Sequence, residues 1–396
     1  MKVLVVNTLY PPHVVGGAEK SVKLLCESVV RAGVEVVVVS LHPGEGTIIE
    51  TLNGVKVYRL PIDNVYWPFD QKQRSPLAKM QWHLRDVWNR AAGLRFSKVL
   101  EIEKPDVVHT NNLTGFSVAL WASLRAQSLP IVHTLRDYSL LCRRATLFRG
   151  GQTCKRRCVD CAMMTMPSKS MSQYVDRVIS NSRFVLDLHL ANGYFRQAAG
   201  EVIYNIMEVG PERVEGPDTD SALTFGYIGK IDQDKGIEII LAATEKIQMA
   251  DWKLKIAGRG AEDYVNKLKA RYTDPRIEWL GFTVVRDVMR QIDVTIISSI
   301  WYEPLPRVLI ESMAYRRSTI CSTAGGIPEI SHYADLIGEY EPTDVEALAR
   351  LMEKAISGGR LAGTRRENGA GELPQLFSAP RIADRNIVVY RDALAR

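Results

Sequence analysis

The sequence predicts an α/β protein built from two doubly wound, Rossmann-like domains that face each other across a cleft. Three observations predict this fold class. The chain has 396 residues, which suits two domains of roughly 200 residues each. Its 46% hydrophobic and 24% charged content is that of a globular protein. Short apolar strands alternate with amphipathic helices twice along the chain, which indicates a parallel sheet in each half.

The first half begins with a strand, a loop, a helix and a second strand. The helix ends at Gly33, because glycine readily adopts the left-handed backbone that follows a helix. Two further short strands each end in a polar loop, where ligands of such sheets bind. In order, these segments are "KVLVVN", "TLYPPHVVGG", "AEKSVKLLCESVVRAG", "VEVVVVS", "PDVVHTN" and "PIVHTLRD".

The same alternation restarts after residue 221, with "LTFGYIG", "KIDQDKG", "IEIILAATEKI", "WKLKIAG", "RIEWLGF", "DVTIISS" and "STICSTAGG". The segment rich in Gly, Pro and acid at 208–221 is predicted to be the linker. We therefore assign residues 1–207 to an N-terminal domain and 222–379 to a C-terminal domain. The tail, 380–396, is predicted to form one amphipathic helix.

Eight segments of the chain, in order, carry a resemblance to a known family: "YPPHVVGGAE", "PDVVHTNN", "HTLRDYSLLC", "GYIGKIDQDKGIEIILAA", "LKIAGRG", "IEWLGF", "EPLPRVLIESMA" and "STAGGIPEI". With these, the sequence resembles the GT-B glycosyltransferases of family four, which are retaining nucleotide-sugar transferases. The resemblance implies transfer of a sugar, most often a hexose, from a nucleotide-sugar donor to a glycan or lipid-linked acceptor in cell-surface polysaccharide assembly. It also implies that the C-terminal domain binds the donor and that the last helix crosses back onto the first domain.

Two loops of the second half are predicted to hold the donor pyrophosphate. Lys230 and Lys235, with Gly229, lie in a loop that leads into a helix N-terminus, which favours anions. Their charge would stabilise the leaving diphosphate, so both are candidate catalytic residues; the alternative is that they are ordinary surface lysines. Gly325 and Gly326 form a second candidate cradle, since glycine lets the backbone approach a phosphate closely.

The stretch "YEPLPRVLIESMA" supplies two candidate carboxylates at the start of a helix. A carboxylate among apolar residues is costly unless a partner satisfies it. The resemblance implies that Glu311 accepts hydrogen bonds from the ribose hydroxyls and that Glu303, also catalytic, reaches the transferred sugar. Leu305 belongs to the same predicted donor site. Pro306 stands where the family commonly has glycine and removes an amide that could meet a phosphate.

Two further groups complete the predicted donor site. Gly281, Phe282 and Thr283 follow the strand "IEWLG" and are expected near the nucleotide base. Gly16 and Gly17 are the corresponding glycines of the first domain and are expected to face the cleft from the other side.

Polar residues at two strand ends of the first domain are the candidates for sugar and acceptor binding. The resemblance places His109 near the transferred sugar, as a further catalytic residue. His133 and Asp137 are predicted on the acceptor side; the alternative for such a histidine is a satisfied polar residue of the fold. The segment "DQD" at 232–234 lies in the lysine loop rather than at a metal site of the family, so catalysis without a metal cofactor is predicted.

Four cysteines cluster in a polar insertion at about 140–165. Cys142, Cys154, Cys158 and Cys161 have the spacing C-x11-C-x3-C-x2-C, and four thiolates can close a tetrahedral zinc site. The sequence favours structural zinc, which would order an insertion that is poor in core residues. Free thiols, a disulfide and an iron–sulfur centre are the alternatives.

The positive charge of the chain is modest and uneven. The net charge is +6, with basic residues concentrated at 71–95 and 136–158. Such segments suit a nucleotide, a lipid pyrophosphate or an anionic membrane face. The alternative, favoured for any single lysine or arginine, is a solvated helix face. With neither a signal-peptide pattern nor a long apolar run, we expect a cytoplasmic protein, at the inner face of the membrane. No nucleic-acid partner is expected; the alternative function is a non-catalytic or nucleic-acid-binding zinc protein on the same scaffold.

Overall fold

The computed structural model describes residues 1–70, 72–207, 222–358 and 373–395. The predicted linker, 208–221, lies outside the described residues. The chain divides into two compact units, in which the second unit receives a short segment from the first half of the chain. The first unit comprises Met1–Leu147, Lys155–Glu208 and Phe377–Arg396, and the second comprises Phe148–Cys154 and Val209–Leu376.

The strands of the described residues are short and mostly buried. In chain order they are β1 (Lys2–Val6), β2 (Glu35–His42), β3 (Ile48–Leu52), β4 (Val55–Pro61), β5 (Val107–Thr110), β6 (Ile131–Leu135), β7 (Phe148–Arg149), β8 (Gln152–Thr153), β9 (Arg177–Ser180), β10 (Ala199–Val202), β11 (Leu223–Ile228), β12 (Trp252–Ala257), β13 (Ile277–Gly281), β14 (Val294–Ile297), β15 (Ser318–Ser322) and β16 (Leu336–Tyr340).

The helices of the described residues follow the strands as crossovers or cover the sheets. In chain order they are α1 (Gly17–Arg31), α2 (Pro76–Val87), α3 (Arg90–Glu103), α4 (Ala119–Ala126), α5 (Val159–Met164), α6 (Met166–Met171), α7 (Arg183–Ala191), α8 (Ile237–Thr244), α9 (Glu262–Arg271), α10 (Val285–Met289), α11 (Arg307–Ala314), α12 (Pro328–Ser331), α13 (Val345–Gly358), α14 (Leu373–Leu376) and α15 (Ala379–Leu394). Short 3-10 turns occupy Ser172–Tyr174 and Gln233–Lys235.

The first unit is organised around one sheet, which has eight strands in the part of the chain described. Its order is β10-β9-β6-β5-β1-β2-β4-β3, and every pairing is parallel except that of β3 with β4. The chain moves outward from β1 through β2, then returns to place β5 on the other side of β1. Ligands of doubly wound sheets bind where the strand order reverses in this way, here at the carboxyl ends of β1 and β5.

The last helix, α15, belongs to the first unit. Its buried residues, among them Ile382, Ile387 and Tyr390, join the core cluster that contains Val22 and Leu25 of α1. The helix is amphipathic, so burying its apolar stripe requires a partner face, and α1 provides one.

The second unit contains a six-stranded parallel sheet within the described residues, in the order β13-β12-β11-β14-β15-β16. Its central strands β11 and β14 are almost entirely buried, as expected where helices cover both faces of a parallel sheet. The strand order reverses between β11 and β14, so the carboxyl ends of these two strands form its switch point. Two units with parallel sheets confirm the predicted fold class.

The two-stranded hairpin of β7 and β8 lies within the cysteine-containing insertion but groups with the second unit. The sequence-based assignment kept the whole insertion in the N-terminal domain. The difference has a local cause, since the Thr153 hydroxyl donates to the Ile300 carbonyl at 2.7 Å. Within the described part of the chain, every helix is too short or too polar to span a membrane.

Candidate functional site

The candidate site lies at the switch point of the second unit, where the loops after β11 and β14 meet. The Ser298 hydroxyl donates to the Lys235 carbonyl at 2.8 Å, and the Ile300 amide donates to the Asp234 carbonyl at 2.9 Å. Gly236 has a φ of +68°, and a Cβ there would lie 1.8 Å from the Ser298 carbonyl oxygen. Only glycine therefore permits this approach, which brings the lysine loop against the loop that carries Glu303.

Glu303 is the centre of this site. It is only 8% exposed, and its Oε2 accepts hydrogen bonds from Lys235 Nζ at 2.6 Å, Ser299 Oγ at 3.0 Å and Trp301 Nε1 at 2.9 Å. The Lys235 ammonium also lies 4.6 Å from the centre of the Trp301 ring. The buried carboxylate is therefore paired and hydrogen-bonded, which offsets its desolvation. The Lys235 side chain keeps 25% exposure, so a ligand can reach it.

Gly325 and Gly326 hold the main chain of Glu303. The Gly326 amide donates to the Glu303 carbonyl at 2.7 Å. Gly325 has a φ of +64°, and a Cβ there would lie 2.5 Å from the Glu303 carbonyl oxygen. The predicted phosphate cradle therefore needs correction at Gly326, whose amide already has an acceptor. The close approach that the glycines permit is to the glutamate loop.

Lys230 stands at the outer edge of the site. Its side chain is 65% exposed and forms an ion pair with Asp232. Burial opposes ionisation of Asp232, but hydrogen bonds from Lys230 and from the Gln233 amide prevail and lower the pKa of Asp232. The neighbouring Gly229 amide donates to the Ala257 carbonyl at 3.0 Å and so takes part in the pairing of the loops after β11 and β12.

Glu311 lies on α11, which begins one residue after Pro306. Leu309 and Ile310 of this helix are fully buried, whereas the Glu311 side chain retains 22% exposure. Arg307, one turn earlier, places Nη2 at 3.9 Å from Glu311 Oε1. Leu305, only 6% exposed, is a packing residue of the loop before the helix. Sequence reasoning missed Arg307, although a basic residue four positions before the glutamate was its signal.

The loop after β13 presents an aromatic side chain. Phe282 is 71% exposed, and the Arg259 guanidinium lies 4.7 Å from its ring centre. Gly281 adopts a φ of +67°, and the Thr283 hydroxyl donates to the Leu280 carbonyl at 3.3 Å. An exposed ring of this kind can stack on a nucleotide base. Sequence reasoning also missed Arg259, although "AGRG" places it in the loop that follows β12.

The two candidate histidines of the first unit are both buried. His109 on β5 is fully buried, with Nδ1 at 2.8 Å from the Tyr390 hydroxyl and Nε2 at 2.6 Å from the Thr134 hydroxyl. Burial lowers the pKa of His109 to about 3. His133 is 3% exposed, with Nδ1 at 2.9 Å from the Thr110 hydroxyl. These contacts correct the prediction that His109 holds the sugar, because its ring is fully buried with both nitrogens beside hydroxyls of the unit. His133 lines the same polar pocket as Asp137 and remains a predicted acceptor-side residue.

Asp137 lies in a small polar pocket at the carboxyl end of β6. Its Oδ2 accepts from Asn112 Nδ2 at 3.1 Å, and its Oδ1 accepts from the Ser139 amide at 2.8 Å. Burial raises the pKa of Asp137 against these hydrogen bonds. Asn111 and Arg136 also line the pocket. Asp137 remains a predicted acceptor-side residue.

Gly16 and Gly17 stand at the start of α1, beyond the carboxyl end of β1. The Gly16 amide donates to Glu19 Oε2 at 2.8 Å, which completes half of a capping box. Gly16 is exposed, as a residue that meets a ligand from a helix N-terminus must be. Both glycines remain predicted site residues of the first unit.

The cysteines of the insertion are divided between the two units. Cys142 and Cys161 place their Sγ atoms 3.8 Å apart, and the Cys158 side chain also reaches Cys161. Burial raises the pKa of the Cys161 thiol. Cys154 groups with the hairpin in the second unit. Across the described ranges, no set of three or more His, Cys, Asp or Glu side chains has a metal-binding arrangement.

Comparisons with protein families match both halves of the chain. Residues 222–357 match the family described as Glycosyl transferases group 1. Residues 16–205 match the family described as Glycosyl transferase 4-like domain. The match over residues 222–357 contains the candidate site at the ends of β11 and β14.

Individual relatives extend over most of the chain. An uncharacterised 42.6 kDa protein in the cps region of Klebsiella pneumoniae is 32% identical over 84% of this chain and 87% of its own. An uncharacterised glycosyltransferase of Methanocaldococcus jannaschii is 25% identical over 100% of this chain and 99% of its own.

Solved structures share the fold at low sequence identity. Sucrose-phosphate synthase from Thermosynechococcus elongatus has a TM-score of 0.75 at 19% identity, covering 100% of this chain and 99% of its own. HepE from Anabaena, solved with UDP and glucose, has a TM-score of 0.71 at 17% identity and covers 99% of both chains.

Proposed function

The chain belongs to the group 1 glycosyltransferases, with a glycosyl transferase 4-like domain in its first half, and we propose that it transfers a hexose from a nucleotide-sugar with retention of configuration. The observation that carries this proposal is the cluster of Lys235, Glu303, Ser299 and Trp301 at the switch point of the second unit. A partly exposed cation held beside a carboxylate at the carboxyl ends of parallel strands matches a ligand that has both phosphates and hydroxyls.

In this mechanism the lysines act on the diphosphate that leaves with its nucleotide. The Lys235 ammonium, oriented by Glu303, meets negative charge that grows as the glycosidic bond breaks, and Lys230 adds a second cation from the outer edge. Stabilisation that strengthens towards the transition state raises turnover, by tenfold for about 1.4 kcal/mol. Because ammonium groups supply this charge, the proposed transfer needs no catalytic metal.

The carboxylates orient the two sugars of the donor. Glu311 keeps enough exposure to accept from both hydroxyls of a ribose. Glu303 has Oε2 occupied by three donors, so its contact with the transferred sugar uses the other oxygen. Phe282 offers its ring to the base.

For the acceptor, we propose a glycan or a lipid-linked glycan, met at the inner face of a membrane, with Asp137 orienting its hydroxyl. The relative in the cps region of Klebsiella pneumoniae supports a role in cell-surface polysaccharide assembly.

We also propose that zinc orders the insertion through Cys142, Cys154, Cys158 and Cys161. Two thiolates on one tetrahedral zinc, each at about 2.3 Å, lie about 3.8 Å apart, and Cys142 and Cys161 have this separation. Protein purified with zinc and reductant should contain one equivalent of zinc, measured by elemental analysis. Loss of that zinc in the Cys142→Ser, Cys161→Ser double variant supports the proposal, and metal-free wild type contradicts it.

The test of the main proposal is a thermal-shift screen against UDP-, GDP- and ADP-sugars, followed by donor turnover. We expect Glu311→Gln to raise the donor KM by about tenfold and Glu303→Gln to lower kcat by about a hundredfold. Glu262→Gln, an exposed carboxylate on α9, is the matched control and should match wild type. If both site variants turn over donor as wild type does, the proposed site is wrong.

A further inference from the structure

Helix α2 of the first unit turns an apolar face to solvent. Leu77, Met80 and Leu84 are 59%, 51% and 56% exposed. Their spacing places them on one side of the helix. Trp82, on the opposite side, is 4% exposed and donates its ring N–H to the Tyr66 carbonyl at 3.0 Å. The helix is therefore fastened to the unit by one side while it leaves an apolar ridge uncovered on the other.

The ridge has an aromatic residue at its end. Trp88, which follows the last residue of α2, is 43% exposed. A large ring with one polar N–H suits the boundary between water and hydrocarbon. Exposed apolar residues scattered singly need no explanation, but three in register on one helix indicate a contact surface.

Cations flank the ridge on both sides. At 100° per residue, Lys79 and Arg85 lie on opposite sides of the line through the apolar side chains, and both are exposed. Lys72, just before the helix, is exposed as well. Asp86, the acidic residue of α2, accepts from the Gly115 amide at 2.6 Å within the unit, and burial raises its pKa. The surface around the ridge is therefore positive.

We propose that the outer face of α2, defined by Leu77, Met80, Leu84, Lys79 and Arg85, docks the protein on an anionic lipid bilayer. The apolar side chains enter the acyl boundary while the two cations contact lipid phosphates. This inference rests on the proposed function only in that a membrane-side acceptor gives the docking a purpose. A purely electrostatic polyanion would not need the ridge, and a second copy of the same face would oppose like charges.

The experiment uses the full chain and flotation with vesicles of phosphatidylglycerol and phosphatidylethanolamine, against vesicles of phosphatidylcholine alone. Wild type should bind the anionic vesicles at least about tenfold more strongly, with binding that weakens as salt increases. The triple variant Leu77→Ser, Met80→Ser, Leu84→Ser should lose at least about tenfold in binding. The double variant Lys79→Glu, Arg85→Glu should bind anionic and neutral vesicles alike.

Matched controls separate this surface from apolar exposure in general. Ile49→Ser and Val388→Ser remove side chains that are 57% and 52% exposed on other elements, and both should float as wild type does. Turnover of a water-soluble donor should be unchanged in the α2 variants, which shows that they fold. Loss of donor turnover in every protein would refute the proposed function while leaving the vesicle result intact.

Three outcomes would overturn the proposal. Equal binding of the wild-type protein to anionic and neutral vesicles would overturn it. Flotation of the triple variant equal to that of wild type would do the same. A dimer of wild type that the triple variant dissociates, without vesicle binding, would instead assign the ridge to contact between copies.

Discussion

The two units differ in how they surround the polar residues near the carboxyl ends of the strands at their switch points. In the first, His109 of β5 is enclosed, with both ring nitrogens beside hydroxyls of the same unit. In the second, the chain beyond β14 supplies Glu303, whose partner Lys235 keeps 25% exposure. Both sequences show a polar residue after an apolar run. The difference teaches that the partner decides whether a buried polar group is accessible. A hydroxyl from the same unit encloses His109, whereas the ammonium beside Glu303 stays partly exposed, so a ligand can reach it.

A helix distant in sequence encloses His109 in the first unit. The Tyr390 hydroxyl that meets His109 comes from α15, 281 residues further along the chain. Burying a polar group is tolerated when such a partner is present. The second unit builds its cluster from neighbouring loops, and glycine at positions 236 and 325 allows those loops to touch.

The largest effect is expected from a change that disturbs the cluster of Glu303 and Lys235 without altering an ionisable group. Gly325→Ala would place a Cβ 2.5 Å from the Glu303 carbonyl oxygen and must displace this backbone. We expect kcat/KM for the donor to fall by about a hundredfold or more, because misplacing reacting groups by about 1 Å has this cost. Steady-state kinetics with a soluble donor is the measurement.

The control for this variant is Gly46→Ala, which has a φ of +73° but no atom within 4 Å of its would-be Cβ. It bears the same backbone strain without the collision. Equal kinetics in the two variants would show that the contact with Glu303 is unimportant.

The second prediction tests the buried hydrogen bonds of His109 in the first unit. His109→Gln removes one of two buried hydrogen bonds, so the free energy of unfolding of the first unit should fall by about 2 kcal/mol. The donor KM of the folded protein should stay within about twofold of wild type, since the ring is sealed from ligands. Denaturant unfolding together with kinetics separates the two effects. A drop in turnover with unchanged stability would restore His109 to the sugar site.

The third prediction concerns pH. Burial lowers the pKa of His109 to about 3 and of His189 to about 4. The unfolded chain binds these protons near pH 6.5, whereas the native state does not, so protonation favours unfolding. Stability should be constant above about pH 6.5 and fall below it by about 1.4 kcal/mol per pH unit for each histidine, down to its folded pKa.

Hydrogen exchange of the β5 and β6 amides between pH 7 and pH 5 would measure this slope. The His109→Gln variant should show a shallower slope than wild type. An identical slope would mean that His109 does not titrate between the two states as proposed.

The smallest effect is expected at the exposed ion pair of Lys230 with Asp232. Asp232→Asn removes its exposed partner, so the ammonium is free to meet a phosphate. We expect the donor KM to fall by about two- to threefold at low salt, and the gain to vanish at high salt, because exposed pairs are weak and screened. Asp287→Asn, which alters the exposed pair with Arg290, is the control. A higher KM in Asp232→Asn would show that the pair itself binds the donor.

Much of the fold was predictable because it depends on local patterns. Alternating strands and helices, the glycine at the end of α1 and the amphipathic tail all follow from hydrophobic period and backbone preference. The grouping of Glu303 with the lysine loop was also accessible, because parallel strands bring their carboxyl ends to one edge.

Other features were not predictable from local pattern. The side chains that fix Glu303 include Ser299 and Trp301, which are polar or aromatic residues of an unremarkable loop. Gly326 was expected to bind phosphate, but its amide is taken by the Glu303 carbonyl. Hydrogen-bond partners of this kind depend on the folding of two separate loops, which no spacing rule specifies.

The sequence by itself determined the two parallel sheets, the loops at the carboxyl ends of their strands and the residue types available there, because periodicity and chain order decide these. Only the tertiary structure decided which polar residues are buried with internal partners and which remain accessible to a ligand. His109 lies near the end of an apolar strand and Glu303 follows one, yet α15 covers the first and a neighbouring lysine meets the second. Burial is a property of the surroundings, and those surroundings come from parts of the chain far apart in sequence.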